Sequence, residues 1–378
     1  MAPVQAVNAP QPHLYVGISS HGYGHLAQVA PILNRLTERH HGLELTLATT
    51  LPESLLSLMI KGKFRTRPHS LDFGMHMKDA LSVDLEKSFA AYVTFHEHFD
   101  DAADALAQEL KVSGVDLVFS DVPYLLTEAA RRADIPSVAL CSLNWADIFH
   151  GYFAGRAGMH EIEDVMREAY ESCKVFFMPQ PSMPMLNLSR RIAIGPVAMT
   201  GCNRREILND LLHLSPDDRL VLVNLGGIPI EIDFRIWPRE ENLHFLVDTP
   251  VSQSPWLHAL PALDMRFNDI LASCDVLLTK PGYGNFVGAA CHGVGVIYVR
   301  RLDWPEEPYL VSWLKEHARC CEISQERLET GQLSGHIKKL FEQPEKPKVE
   351  PKGIDEACQV IESFFGGFNL EGKKSGQV

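Results

Sequence analysis

His21 and His25 share one glycine-rich turn, Ser19-Ser20-His21-Gly22-Tyr23-Gly24-His25, directly after the apolar run 14–18. A neutral imidazole is a general base for a hydroxyl when a carboxylate fixes its tautomer and stabilises the imidazolium that forms. Asp121, in Ser120-Asp121-Val122-Pro123 after the apolar run 115–119, is the candidate carboxylate. Both residue types also have a structural use. Asp121 can cap a helix and His25 can simply open one; spacing alone favours the cap for Asp121 and leaves the histidines evenly balanced.

A second glycine-rich turn, Thr279-Lys280-Pro281-Gly282-Tyr283-Gly284-Asn285, follows the apolar run 276–278 about half a chain later. Between a buried strand and a helix, such a turn lets backbone N–H groups approach an anion at the helix N-terminus. Lys280 would add a positive charge. Gly226-Gly227, after the run 220–224, offers a further phosphate-type turn. Two turns in separate halves, with histidines in the first alone, suggest one half for chemistry and one for a phosphate-bearing ligand. The acidic cluster Asp303, Glu306 and Glu307 has two readings: it complements a helix dipole, or it accepts hydrogen bonds from sugar hydroxyls. His96-Glu97-His98 has i, i+2 spacing, which points its imidazoles to different sides of a helix and reads as a solvated face rather than a metal site. Trp145 follows a strand on the same predicted edge as Asp121, placed either to stack on a substrate or to pack.

The elements that must hold these residues alternate along the chain. Strands are expected at 14–18, 43–48, 115–119, 137–140, 175–178 and 191–194, with helices at 26–39, 86–110 and 124–133. The pattern restarts with strands at 220–224, 243–247, 276–279 and 296–300 and helices at 203–212, 267–273, 286–292, 309–317 and 325–341, closing with a helix at 355–365. Such alternation predicts parallel strands with crossover helices: an α/β protein of two Rossmann-like, doubly wound domains. The expected division is 1–198, 199–350 and a terminal helix with a disordered tail, 351–378. If the first sheet has the order 3-2-1-4-5, Asp121 faces the histidine turn across the crevice where strand order reverses.

At 378 residues, 46% hydrophobic and 22% charged, the chain is long enough for two globular domains. Its net charge of −13, without a Lys/Arg-rich run, argues against nucleic acid or an anionic membrane as the main partner. Eight scattered cysteines without a C-x-x-C pair, no basic-then-apolar leader and no long apolar run together predict a cytoplasmic protein with no transmembrane segment.

These motifs resemble the GT-B glycosyltransferases, in particular the glycosyltransferase-like N-terminal half of plant L-arabinokinases. The resemblance runs from about residue 14 to 341 and is carried by His21-Gly22-Tyr23-Gly24-His25, Ser120-Asp121-Val122, Lys280-Pro281-Gly282-Tyr283-Gly284 and the segment from Arg301 to Pro308. It implies two Rossmann-like domains facing across a cleft and an inverting, metal-independent transfer of sugar from a nucleotide-sugar donor, a UDP- or dTDP-sugar, to an acceptor hydroxyl. No other cofactor is implied. His25 would be the base and Asp121 its orienting carboxylate. Gly226, Gly227, Lys280, Gly282, Tyr283, Gly284, Asn285, Asp303, Glu306 and Glu307 would hold the donor. The acceptor would be a small molecule, lipid or glycan, with peripheral membrane contact compatible with it. Lys280-Pro281-Gly282 stands where related transferases open the donor box with His-Cys-Gly, and Gly288 and Gly295 stand where they carry Glu and Pro. Two alternatives follow: a non-catalytic nucleotide-sugar-binding regulator, and a nucleotide-sugar epimerase on the same fold.

Overall fold

The computed structural model describes residues 11–79, 81–226, 232–249, 254–301 and 303–365. The first lobe runs β1 (His13–Ile18), α1 (Tyr23–Arg39), β2 (Glu44–Ala48), α2 (Glu53–Met59), β3 (Arg65–Arg67), α3 (Leu85–Glu97), α4 (Phe99–Val112), β4 (Leu117–Asp121), α5 (Tyr124–Ala133), β5 (Ser137–Leu140), α6 (Trp145–Phe153), α7 (Met159–Glu171), β6 (Val175–Pro179) and β7 (Arg191–Ile194). The second runs α8 (Arg205–Leu212), β8 (Arg219–Asn224), β9 (Leu243–Val247), β10 (Leu257–Ala259), α9 (Phe267–Ser273), β11 (Val276–Thr279), α10 (Tyr283–His292), β12 (Gly295–Val299), α11 (Glu307–His317), β13 (Cys320–Ile323), α12 (Gln325–Thr330) and α13 (Ser334–Glu342). The chain then returns, and α14 (Gly353–Ser363) packs on α1 and β7.

Each lobe is built on one parallel sheet. Their strand orders are β3-β2-β1-β4-β5-β6-β7 and β10-β9-β8-β11-β12-β13. Successive side chains of a strand point to opposite faces, so a sheet covered on both sides needs an unbroken apolar run. Along β1, Tyr15 enters one core while Leu14, Val16 and Ile18 enter the other. Along β8, Leu220 and Leu222 face one cluster and Val221 and Val223 the opposite one. Strand order reverses between β1 and β4 in the first sheet and between β8 and β11 in the second. Those two reversals open a crevice at each sheet's carboxyl edge, and the two glycine-rich turns follow β1 and β11.

Several expectations need adjustment. The helix expected at 86–110 is two, α3 and α4, because His98 leaves helical geometry at φ −116° and ψ 8°. The one expected at 325–341 breaks at Gly331, which has φ +67° and whose added Cβ would meet Trp237 at 2.2 Å. His96 is not on a solvated face: it is half-buried, its Nε2 lies 2.9 Å from Tyr124 Oη, and burial pushes its imidazole down to about 4. The tail after residue 365, expected to be disordered, lies outside the described residues. Among the described residues no helix is long and apolar enough to cross a membrane.

Candidate active site

The site begins with strand register. Ile18, the last residue of β1, pairs with Asp121, the last of β4, so the two chains leave the sheet side by side at the reversal of strand order. From β1 the backbone turns through Gly22, extended at φ −179°, straight into α1. That helix starts at Tyr23, three residues earlier than the expected 26, so His25 sits in its first turn.

His25 Nδ1 lies 3.0 Å from Asp121 Oδ1, with His25 7% exposed and Asp121 fully buried. With its proton on Nδ1 the imidazole donates to the carboxylate, leaving Nε2 with a lone pair. Asp121 does not cap α5; the residue at that cap is Pro123, and no side chain caps the helix. Burial works to lower the His25 imidazole, but the charge and hydrogen bond of Asp121, with Asp72 and Glu306 behind it, more than offset this and hold it above the usual histidine range. Burial also holds Asp121 above the usual carboxylate range, partly countered by His25. Asp121 Oδ2 is buried without a partner.

The walls around this pair are aromatic and acidic. His21 stacks on Trp304 (centroids 5.8 Å apart, 5° between planes) and meets the edge of Trp145 at 5.2 Å. Burial first, then the charges of His25 and Arg301, push its imidazole down to about 3, so His21 is neutral throughout the physiological range. Trp145 Nε1 donates to Asp72 Oδ2 at 2.7 Å, and Ser19 Oγ donates to Asp72 Oδ1 at 2.9 Å. Burial raises the Asp72 carboxyl to about 6. Cys141 Sγ lies 3.8 Å from His25 Nδ1, and ligand-type atoms of His25, Asp121 and Cys141 all fall within 4.8 Å of one another. Burial pushes that thiol well above its ordinary range. On the same lobe a cavity of about 470 Å³ is lined by Phe73, His76, Lys87, Ala90, Ala91, Thr94 and Phe95.

Facing this wall are the turns of the second lobe. Thr279 pairs with Asn224 at the end of β11 and β8. Asn285 braces that junction: its Nδ2 donates to Thr279 Oγ1 at 2.7 Å and to the Asn224 carbonyl at 3.2 Å. Gly226 takes φ +84°, a left-handed conformation suited to glycine, and a Cβ there would lie 3.3 Å from Lys280 Cε. Burial, then the charge of Arg301, lowers the Lys280 ammonium to about 8. Gly284 brings the two helices that carry the turns together, since its Cβ would stand 3.4 Å from Ala27 Cβ. Gly282 precedes α10 in extended geometry at φ −166°.

Of the expected donor ligands, Gly226, Lys280, Gly282, Gly284 and Asn285 gather at this edge. Two others are engaged inside the protein. Tyr283 Oη accepts the Val197 N–H at 2.9 Å, and Glu307 receives the Arg300 side chain and the Arg301 backbone N–H. Glu306 spans the lobes, accepting from Ser142 Oγ at 2.6 Å and from Trp304 Nε1 at 3.0 Å, while Asp303 is exposed. Gly227 lies outside the described residues. Gly288 is buried in α10, where a Cβ would come within 3.1 Å of Leu271 Cδ2, so close packing against α9 accounts for a glycine there. Sequence reasoning missed Asp72 and Cys141: one sits in a loop without a motif and the other closes an apolar strand, and neither carries a local signal.

No family model matches the chain. Over 348 residues, 89% of its length, it is 26% identical to the L-arabinokinase of Arabidopsis thaliana, and it spans about one third (33%) of that protein. In three dimensions it is similar to CalG4, the calicheamicin glycosyltransferase, with a TM-score of 0.64 and 16% identity over 94% of this chain and 98% of that one. A Listeria monocytogenes protein described as a UDP-N-acetylglucosamine 2-epimerase superposes with a TM-score of 0.59 and 11% identity, over 97% and 99% of the two chains. The fold is GT-B: two doubly wound α/β lobes facing across a cleft.

Proposed function

We propose that this chain transfers a sugar from a nucleotide-sugar donor to an acceptor hydroxyl, with inversion at the anomeric carbon. The observation that carries this reading is the 3.0 Å contact of His25 Nδ1 with buried Asp121, at the crevice where strand order reverses. His25 Nε2 takes the proton of the acceptor hydroxyl. The acceptor oxygen bonds to the anomeric carbon as the bond to the diphosphate breaks, and the nucleoside diphosphate leaves with the bonding electrons. Asp121 holds the ring in the tautomer that frees Nε2 and stabilises the imidazolium that results. The N-terminus of α10 and Lys280 meet the growing charge on the leaving group, a route through fixed donors rather than a metal. An ammonium lowered to about 8 is largely charged at neutral pH, and a bound diphosphate would raise it back toward the ordinary lysine range. On this reading the 1–198 domain takes the acceptor and the 199–350 domain the donor, a UDP- or dTDP-sugar. Similarity to the calicheamicin glycosyltransferase and to the Arabidopsis protein supports it.

The test is release of nucleoside diphosphate from a panel of UDP- and dTDP-sugars with candidate acceptors. His25→Ala and Asp121→Asn are expected to lower kcat by roughly 10²–10⁴-fold, the size of a general-base contribution, with donor affinity retained. Wild-type rates in both variants would rule out the mechanism. The epimerase-like neighbour favours one second reading, isomerisation of the sugar while it stays on the nucleotide. That reading predicts a new nucleotide sugar from the donor alone, without acceptor.

A further inference from the structure

Arg300 and Arg301 leave β12 together and have opposite surroundings. The Arg300 side chain is neutralised by Glu307, with Glu322 at 3.8 Å. Arg301 is 7% exposed, and its guanidinium lies over the Trp304 ring at 4.2 Å. Its Nη2 reaches Met77 Sδ at 4.0 Å, and its Nε is buried without a partner. Among the described residues no carboxylate closes an ion pair with this fork. Glu306 has both oxygens engaged by Ser142 and Trp304, and Glu307 is taken by Arg300 and a backbone N–H. Glu306, Glu307 and Asp79 act on this charge only from beyond ion-pair distance. A buried charge without a direct ion pair is unfavourable, whereas a planar guanidinium matches a carboxylate or phosphate in two parallel hydrogen bonds. Trp304, beneath the fork, stacks on His21, and His21 shares its turn with His25. The charge of Arg301 reaches both His21 and Lys280. Through Trp304 it borders the histidine turn, and its charge is felt at the turn that would hold the leaving group.

We propose that Arg301 recognises a carboxylate or phosphate carried by the transferred sugar or by the acceptor, separate from the diphosphate assigned to the Lys280 turn. The inference rests on the nucleotide-sugar reading of the cleft and names the substrate class within it: an acidic sugar or an acidic acceptor. A neutral sugar would leave the fork as unpaired in the complex as it is without ligand.

Calorimetric titration of the full chain tests this with UDP-glucuronate against UDP-glucose and, with UDP present, glucuronate and glucose 1-phosphate against glucose. The wild type is expected to prefer the acidic member of one comparison by about 10- to 100-fold, the range of a hydrogen bond to a charged group. Arg301→Met should erase that preference and leave binding of UDP and the neutral sugars unchanged, while Arg301→Lys should keep part of it. The comparison in which the preference appears identifies the carrier. Because it removes an unpaired buried charge, Arg301→Met should melt about 2–4 °C higher than the wild type without ligand. If that variant fails to fold, Arg301→Lys carries the test alone. Equal loss of UDP binding would assign the fork to the diphosphate and overturn the proposal, as would an absent preference or one that survives both substitutions. In those cases nucleotide-dependent transfer by the wild type leaves the function standing. An acid preference without transfer removes the function and keeps the anion site, and binding of none of the probes removes both.

Discussion

Burial acts on His25 and Asp121 in the same sense, penalising the charged form of each, so the partners favour the neutral pair unless their mutual attraction is strong. For His25 attraction wins, and the imidazole sits above its ordinary range. On the proposed mechanism His25 must be unprotonated to accept the acceptor's proton, so the acidic limb of kcat/KM is expected above the pKa of roughly 6.5 of a free histidine. Asp121→Asn removes the charge that raises the ring but leaves the burial that lowers it. The limb should then move to lower pH while the plateau rate falls, and a pH–rate profile of both proteins reads the two effects separately. A limb that stays in place would mean that Asp121 does not govern the base. His21, held down to about 3, has no titration in this range and cannot mimic the effect. Two histidines four residues apart thus differ in role through their neighbours: a carboxylate beside one, two tryptophans beside the other.

Among the elements, α14 ties the chain's return to the first lobe. Ile354, Ala357, Cys358, Ile361 and Phe365 enter the core that backs β1 and α1. Gly353 is tied to the Pro196 carbonyl at 3.1 Å, where an added Cβ would lie 2.0 Å from the Gly195 oxygen. Burying Ile354, Ile361 and Phe365 contributes roughly 1.5–3 kcal/mol each, or roughly 4.5–9 kcal/mol together, against a whole-domain stability of roughly 5–15 kcal/mol. The Arg39 pairs with Asp355 and Glu362 are half-exposed and add little. Deleting residues 351–378 is therefore expected to abolish the cooperative thermal transition of the first lobe and its near-ultraviolet dichroism, and a truncated chain that melts like the full one would refute this. The final helix was legible because its apolar residues recur at helical spacing; its return to the first lobe was not, because spacing says nothing about which core a helix joins. Strands buried on both faces, such as β1 and β8, stand out as unbroken apolar runs. β3, Arg65-Thr66-Arg67, is a short polar edge strand without such a run. Spacing alone favoured a cap for Asp121, and only the expected strand order and the resemblance set it against the histidines; the glycine-rich turns were readable from type and place. Asp72 was not, since only the closed fold brings its loop to Ser19 and Trp145.

At the scale of the molecule, the segment after β12 clasps the two lobes. Trp304 belongs by sequence to the second lobe, yet it is 5% exposed and packs within the core of the first. Pro305 lies against Gly151, where a Cβ would be 2.8 Å from its Cγ, and Glu306 accepts from Ser142 at 2.6 Å. Lobes joined by a modest interface normally move relative to one another. Here the clasp reaches the histidine turn: Trp304 stacks on His21, in the same turn as His25, which is 7% exposed. Truncating a buried tryptophan typically removes about 3–5 kcal/mol. In Trp304→Ala that loss falls on the docking between lobes rather than on either sheet. The wild type is expected to unfold in one calorimetric transition, and Trp304→Ala in two, with a larger radius of gyration by solution scattering. Nucleotide affinity should persist, because the turns at Gly226 and Lys280 do not depend on the tryptophan for their shape. If the variant keeps a single transition and an unchanged radius, the lobes are held by the α1–α10 contact and the Tyr283–Val197 bond instead.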